Sequence, residues 1–278
     1  MHFSRAIARL LSFVVLSAAG LWALLGAHAA HAQDTWFVDD SVSDGLVAYW
    51  RFDEPTVPTA IETVNLRHAT LDVGAVQANG PIPAGLEFTD MGVLRIDGLD
   101  DLVSVADDPL FNALTSSLTV AGWVQRDRLN GGIDTIYVNG SLANAWHLAI
   151  MTDHRLAFRI GTAASTTYSS TVASAALLNN LDYHHVAATV TGGQVRLYID
   201  GVLNANHNGV VLPNPTSGTK YIGSQSDSAA RFPGLIDDLR IYSRALTAAE
   251  VARLAQGAQC PTDGTTWDTA FRDLQCGL

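Results

Sequence analysis

The chain has 278 residues and a formal net charge of −11, from 27 acidic and 16 basic side chains. Lys220 is its only lysine. A surface of that sign repels phosphate backbones and anionic lipid, which are normally bound by basic patches that release counterions, so the composition argues against nucleic acid and anionic membranes as partners.

At the N-terminus, His2, Arg5 and Arg9 precede an apolar run from Leu10 to Leu25, and Ala30-His31-Ala32 forms a small-residue cleavage site before Gln33. This is the layout of an export signal over residues 1–32. An uncleaved anchor is the alternative, but the run is short for a bilayer span and is interrupted by Ser12, Ser17 and Gly20. Cleavage removes two arginines and no acid, leaving 14 − 27 = −13 and a secreted or cell-surface chain with no membrane segment. Residues 33–44 are polar and acidic and read as a linker with little to bury.

From Gly45 to Gly257, short β-rich runs alternate with turn clusters such as Asn79-Gly80-Pro81, Asn139-Gly140 and Pro213-Asn214-Pro215. That rhythm belongs to a β-sandwich, whose core takes alternate side chains from both sheets. Trp50 with Phe52, Leu118 with Val120, Trp146 with Leu148 and Leu156 with Phe158 are the expected core pairs. Trp123 lies opposite the Leu118, Val120 and Val124 face of its strand, which makes it a candidate sugar-stacking platform, with a core position as the plainer alternative. Asn139-Gly140-Ser141 reads as a turn, and as a glycosylation sequon only in a suitable host.

Val186 to Val190 and Val195 to Ile199 predict two strands joined by Gly192-Gly193, whose freedom at positive φ suits a tight hairpin. Asp200-Gly201 is the next turn, leading into Val202 to Ala205. His184 and His185 are adjacent on the first of these strands and point to opposite faces, which favours structural roles over catalysis or metal ligation.

Leu239 and Ile241 alternate with Arg240 and Tyr242, and the period then switches at Leu246. Thr247 and Glu250 have capping-box spacing, and Leu246 and Val251 have that of a hydrophobic staple, so a short helix is predicted from Ala248 to about Gly257. In the tail, export favours a disulfide between Cys260 and Cys276, worth about 3 kcal/mol in the chain-entropy model, with two free thiols as the alternative. Trp267, Phe271 and Leu274 stand there at helical spacing, and residues 258–278 weakly resemble the opening of a right-handed parallel β-helix domain, the start of a further domain.

The hairpin wording YHHVAATVTGGQVRLYIDGVL (183–203) and the closing stretch FPGLIDDLRIYSRALTAAEVARL (232–254) resemble the LamG-like jelly-roll domain of the concanavalin A-like lectin and glucanase superfamily. Gly45 to Glu54, Gly98 to Val105 and Ser117 to Gln125 look like that family's first three strands, so the likeness spans about three quarters of the chain. Tyr183 stands where the family usually has tryptophan. The resemblance implies an all-β fold, a two-sheet antiparallel jelly-roll sandwich with one short C-terminal helix, over residues 45–257.

By the same resemblance, calcium is expected where the first and last strands meet, with Asp53, Glu54 and Asp237 as candidate ligands. A solvated acidic edge is the alternative reading. Asp97, Asp100 and Asp101 read as a turn into a strand. The four glutamates are dispersed and show no cluster of catalytic carboxylates. The expected function is therefore a non-catalytic extracellular binding or adhesion module for a glycan or cell-surface ligand. A protein-binding or structural spacer domain of a larger secreted protein is the alternative, and a glycan-active enzyme a more distant one.

Overall fold

The computed structural model describes residues 42–53, 58–72, 74–78, 92–129, 131–140, 145–161, 168–212, 218–226 and 230–256. The expected signal segment over residues 1–32, Glu54, Cys260 and Cys276 lie outside them. No helix among the described residues is long and apolar enough to cross a membrane.

In chain order the strands are β1 (Leu46–Trp50), β2 (Thr59–Ala60), β3 (Ala69–Asp72), β4 (Val76–Ala78), β5 (Val93–Asp97), β6 (Leu102–Val105), β7 (Ser117–Arg126) and β8 (Asp134–Asn139). They continue as β9 (Trp146–Ile150), β10 (Arg155–Gly161), β11 (Tyr168–Leu177), β12 (His184–Thr191), β13 (Gln194–Ile199), β14 (Val202–His207), β15 (Lys220–Ile222) and β16 (Pro233–Tyr242). Helix α1 (Pro109–Asn112) is one turn capped by Asp108, and α2 spans Ala248–Gln256.

The strands form two antiparallel sheets, and the expected all-β sandwich is what the chain adopts. One sheet has the order β14-β13-β12-β7-β16-β5-β4, with β1 also paired to β16, and the other β11-β10-β9-β8-β15-β6-β3-β2. All eight expected core residues, from Trp50 to Phe158, belong to one buried cluster between the sheets. Its centre is aromatic: Trp50 stacks on Phe111 with centroids 6.1 Å apart, and Trp146 lies 5.3 Å from Tyr137 and 5.8 Å from Phe158. Burying each such ring is worth about 1.5–3 kcal/mol.

The hairpins follow their glycines. Gly192 and Gly193 have φ of 55° and 74°, and Asp200 and Gly201 of 50° and 76°, so both two-residue loops turn through positive φ as a right-twisted hairpin requires. The capping box also forms, with the Glu250 amide donating to Thr247 Oγ1 at 3.2 Å and the Thr247 amide to Glu250 Oε2 at 2.7 Å. Leu246 and Val251, together with Leu254 and Val42, pack over Ala121, Ala187, Tyr198 and Tyr242, so α2 covers part of the outer face of the first sheet.

Three local expectations shift. The first strand stops at Trp50, because Phe52 turns to φ 60°. Gly98 to Val105 is not one strand: Gly98, at φ 74°, turns the chain between β5 and β6, and only Leu102–Val105 is extended. Asn139 is fully buried and its Nδ2 donates to the Phe111 carbonyl at 3.0 Å, which gives the side chain a structural role rather than an accessible sequon.

The single lysine also has an interior role. Lys220 is buried and its Nζ donates to Asp107 Oδ1 at 2.6 Å, Gly218 O at 2.7 Å and Asn112 Oδ1 at 2.9 Å, which uses all three ammonium protons. The Lys220 hydrogen bond holds the Asp107 carboxyl at about 2.

Candidate functional site

On β7, Leu118, Val120 and Val124 enter the core, so Thr119, Ala121, Trp123 and Gln125 face outward. Helix α2 covers the Ala121 level, and Trp123 lies one step further along the strand. Its cross-strand partners are His185 on β12 and Asp237 on β16. The register thus brings the proposed stacking residue beside one of the proposed calcium ligands.

Trp123 is 7% exposed, yet it belongs to neither hydrophobic cluster. It packs instead in a group of rings outside the sandwich, with Tyr183 at 5.8 Å and His185 edge-on at 5.3 Å. Neither the open platform nor the core position describes it. Gln125, next on the same face, donates from Nε2 to the Leu181 carbonyl at 2.9 Å.

The face continues across β16 and β1. Asp238, at φ 49°, is the extra residue of a bulge between Asp237 and Arg240, and its carboxylate accepts from the Tyr49 hydroxyl. The Arg240 guanidinium sits 4.1 Å from the Tyr49 ring centre, donates to Tyr49 Oη at 2.6 Å and lies 3.3 Å from Asp238. Burial pushes the Tyr49 hydroxyl well above its ordinary range. The result is a strip of aromatic and polar groups across four strands.

The adjacent histidines differ sharply. His184 has both ring nitrogens engaged, Nδ1 with Asp200 Oδ2 and Nε2 with Asn180 Oδ1, each at 2.8 Å. His185 is fully buried, and among the described residues neither of its ring nitrogens nor Trp123 Nε1 has a hydrogen-bond partner. Burial, helped by Arg240, pushes the His185 imidazole down to about 3, so it is neutral at physiological pH. Its backbone is held firmly: the amide donates to Asp200 Oδ1 at 3.0 Å, and its carbonyl accepts from the Asp200 amide at 2.7 Å.

Of the proposed cation ligands, Asp53 binds Arg51 at 2.6 Å and accepts from the Gly92 amide at 3.2 Å, and Asp237 accepts from the Asp238 amide at 2.8 Å. Trp50 pairs with Leu239, so the register carries Asp53 and Asp237 toward the same end of the β1/β16 pair. Among the described residues, the group of three metal-type ligands is a different one, Asp97, Asp100 and Asp101, whose oxygens lie within 4.8 Å of one another. Hydrogen bonds from the Asp97 amide to Asp101 Oδ2 (2.6 Å) and from the Leu99 amide to Asp97 Oδ1 (2.7 Å) give it the character of a turn.

The described glutamates are committed to structure. Glu62, fully buried, accepts from the amides of Tyr49, Val64, Asn65 and Arg67 at 2.6–3.0 Å. Glu250 serves the helix cap and pairs with Arg244 at 2.7 Å, which holds its carboxyl at about 2.

The outer face of the second sheet carries another polar row that sequence reasoning passed over. His147 Nε2 meets Thr135 Oγ1 at 2.9 Å, and Arg159 is its cross-strand neighbour. Burial first, then Arg159, pushes His147 down to about 3. Alternation in WHLAI and RLAFRIG, where Trp146, Leu148, Phe158 and Ile160 turn inward, was the signal for it.

A two-sheet antiparallel sandwich with this hairpin matches a laminin G family model, described as the concanavalin A-like lectin/glucanases superfamily, over residues 97–252, more than half the chain. The chain belongs to this family. The matched span of the concanavalin A-like domain holds Trp123, Tyr183, His185 and Asp237 and begins after Asp53 and Glu54. No curated protein sequence matches the chain.

Solved structures share the fold at low identity. Domain 4 of AbnA, an extracellular arabinanase of Geobacillus stearothermophilus in complex with arabinotriose, is 21% identical with a TM-score of 0.57, over 76% of this chain and 98% of that one. A botulinum neurotoxin type C structure, whose cell entry depends on two ganglioside molecules, is 15% identical with a TM-score of 0.56, over 79% of this chain and 52% of that one. Trypanosoma rangeli sialidase with sialic acid is 16% identical with a TM-score of 0.55, over 86% of this chain and 37% of that one. The chain therefore spans about half of the toxin chain and just over a third of the sialidase.

Proposed function

We propose that the chain is a non-catalytic, exported glycan-binding module whose ligand meets the outer face of the β12–β7–β16–β1 sheet. The observation that carries this reading is the ring group of Trp123, Tyr183 and His185, packed outside the sandwich core. Gln125, Asp237 and Arg240 stand on the same face. Indole and phenol rings stack on the C–H faces of sugars, while amide, carboxylate and guanidinium groups take the hydroxyls. The commitment of Glu62 and Glu250 to backbone amides and Arg244 supports a binding role over acid–base hydrolysis. The sugar ligands of the arabinanase domain, the toxin and the sialidase agree with it.

Calcium at Asp53, Glu54 and Asp237 is part of this proposal as a support for the rim, since β1 and β16 bring Asp53 and Asp237 toward one end. A cation there has to displace Arg51 from Asp53. Because a ligand that binds only the folded form raises the melting temperature, chelator lowers it if calcium is bound and leaves it unchanged if it is not.

A second reading, a protein-binding spacer, is favoured by β14. This strand ends its sheet with Val202 65% and Leu203 48% exposed, an apolar pair at a sheet margin. A neutral and sialylated glycan array read with the secreted full-length chain separates the two. Glycan signal supports the module, and a blank array contradicts it.

A further inference from the structure

We propose that Tyr183 closes over a subsite in which Trp123 Nε1 and both ring nitrogens of His185 hydrogen-bond the hydroxyls of a neutral saccharide. The inference rests on the glycan-binding reading and assigns the atoms that do the recognising.

Three polar atoms from one cross-strand pair are buried and have no hydrogen-bond partner among the described residues: Trp123 Nε1, His185 Nδ1 and His185 Nε2. Native folds rarely leave such atoms without a partner, and a cluster of them marks a place where a partner is missing. Unpartnered atoms also occur at Trp50 Nε1, Trp146 Nε1 and Tyr137 Oη, but those rings lie enclosed in the core between the two sheets. Trp123 and His185 lie on the outside of their sheet, and Tyr183, packed against Trp123, is only half-buried. Tyr183 also precedes the first residue of β12, at the margin of the sheet face that carries Trp123 and His185.

The chemistry selects the ligand class. A neutral imidazole offers one N–H donor and one lone-pair acceptor, and the indole adds a second donor. A pair of sugar hydroxyls, each able to donate and accept, matches that set. A carboxylate, which only accepts, leaves the imidazole lone pair unmet. The His185 main chain, clamped on both sides by Asp200, holds the imidazole in place before the ligand arrives.

The test compares wild-type full-length chain with His185→Leu and Trp123→Phe on the array of neutral and sialylated oligosaccharides, with melting temperatures measured alongside. We expect wild type to bind neutral glycans, His185→Leu to bind at least tenfold more weakly with an equal or higher melting temperature, and Trp123→Phe, which removes the indole N–H together with the pyrrole half of the ring, to bind at least fivefold more weakly. Ring-nitrogen NMR of histidine-labelled wild type should show the His185 nitrogens shifting when the best neutral glycan is added, which keeps the proposal testable if a variant fails to fold. Unchanged binding by both variants, or unmoved His185 nitrogens, overturns the subsite and leaves the glycan reading standing. A wild type that binds only sialylated glycans also overturns it, and one that binds no glycan overturns both.

Discussion

Arg126 of β7 and Asp134 of β8 form an ion pair between the two sheets, 3.3 Å long, with side chains 2% and 0% exposed. His154, from the turn between β9 and β10, meets the same Arg126 nitrogen at 3.2 Å. Removing one partner of a buried pair strands the other charge, so Arg126→Met should destabilise the fold by about 3–5 kcal/mol. Arg126→Met with Asp134→Leu should recover much of the loss. Urea unfolding of both variants checks this, and a double variant less stable than the single one contradicts it.

Acid should unfold the protein through its two buried neutral histidines. His147 and His185 are both pushed from 6.5 to about 3. Above pH 6.5 neither folded nor unfolded chain protonates them, so their contribution is fully present. As pH falls from 6.5 toward 3 the unfolded chain takes up protons and the folded one does not, and stability drops by about 1.4 kcal/mol per pH unit for each histidine. Asp107 and Glu250, held at about 2, add to the loss only in the window below their ordinary values, near pH 4. Unfolding free energies at pH 7.5, 6 and 5 should show this slope, and His185→Leu should reduce it by about half.

The end of the sandwich depends on the helix cap. Thr247→Ala removes the acceptor for the Glu250 amide and should cost about 1 kcal/mol, read as a lower melting temperature. Glu250→Gln keeps the reciprocal bond but weakens the Arg244 pair, and should cost less than Thr247→Ala.

Of Gly192, Gly193 and Gly201, the last has the least room. At φ 76°, a Cβ there would stand 2.9 Å from Ala252 Cα in the backbone of α2. Gly201→Ala therefore strains the turn and pushes the helix off the sheet, an effect of about 1–3 kcal/mol in unfolding experiments. Gly192→Ala, with open space around it, should cost less than Gly201→Ala.

Local chemistry was legible and long-range pairing was not. Gly192-Gly193, Asp200-Gly201, the Thr247–Glu250 box and the alternation of core residues act within a few positions, so the sequence displays them. The outward direction of Trp123 could be read from Leu118, Val120 and Val124, and that of His185 from the alternation around it. That the two rings meet depends on a register between strands 62 positions apart, which no local pattern encodes. The Asp238 bulge, which turns its carboxylate to Tyr49 and Arg240, depends likewise on β1 lying beside β16. Glu62 looked like one dispersed acid, and only the folded loop from Val64 to Arg67 reveals it as an acceptor for backbone amides.

The central claim is that ligand recognition occurs on the outer face of the first sheet, at Trp123. A crystal structure of the full-length chain with the neutral oligosaccharide that binds most strongly tests it directly. The account predicts sugar density against Trp123 with Tyr183 turned aside and hydroxyls within hydrogen-bond distance of His185. Sugar density confined to the His147–Arg159 face or to the strand-end loops, with the Trp123 group unchanged, would contradict it.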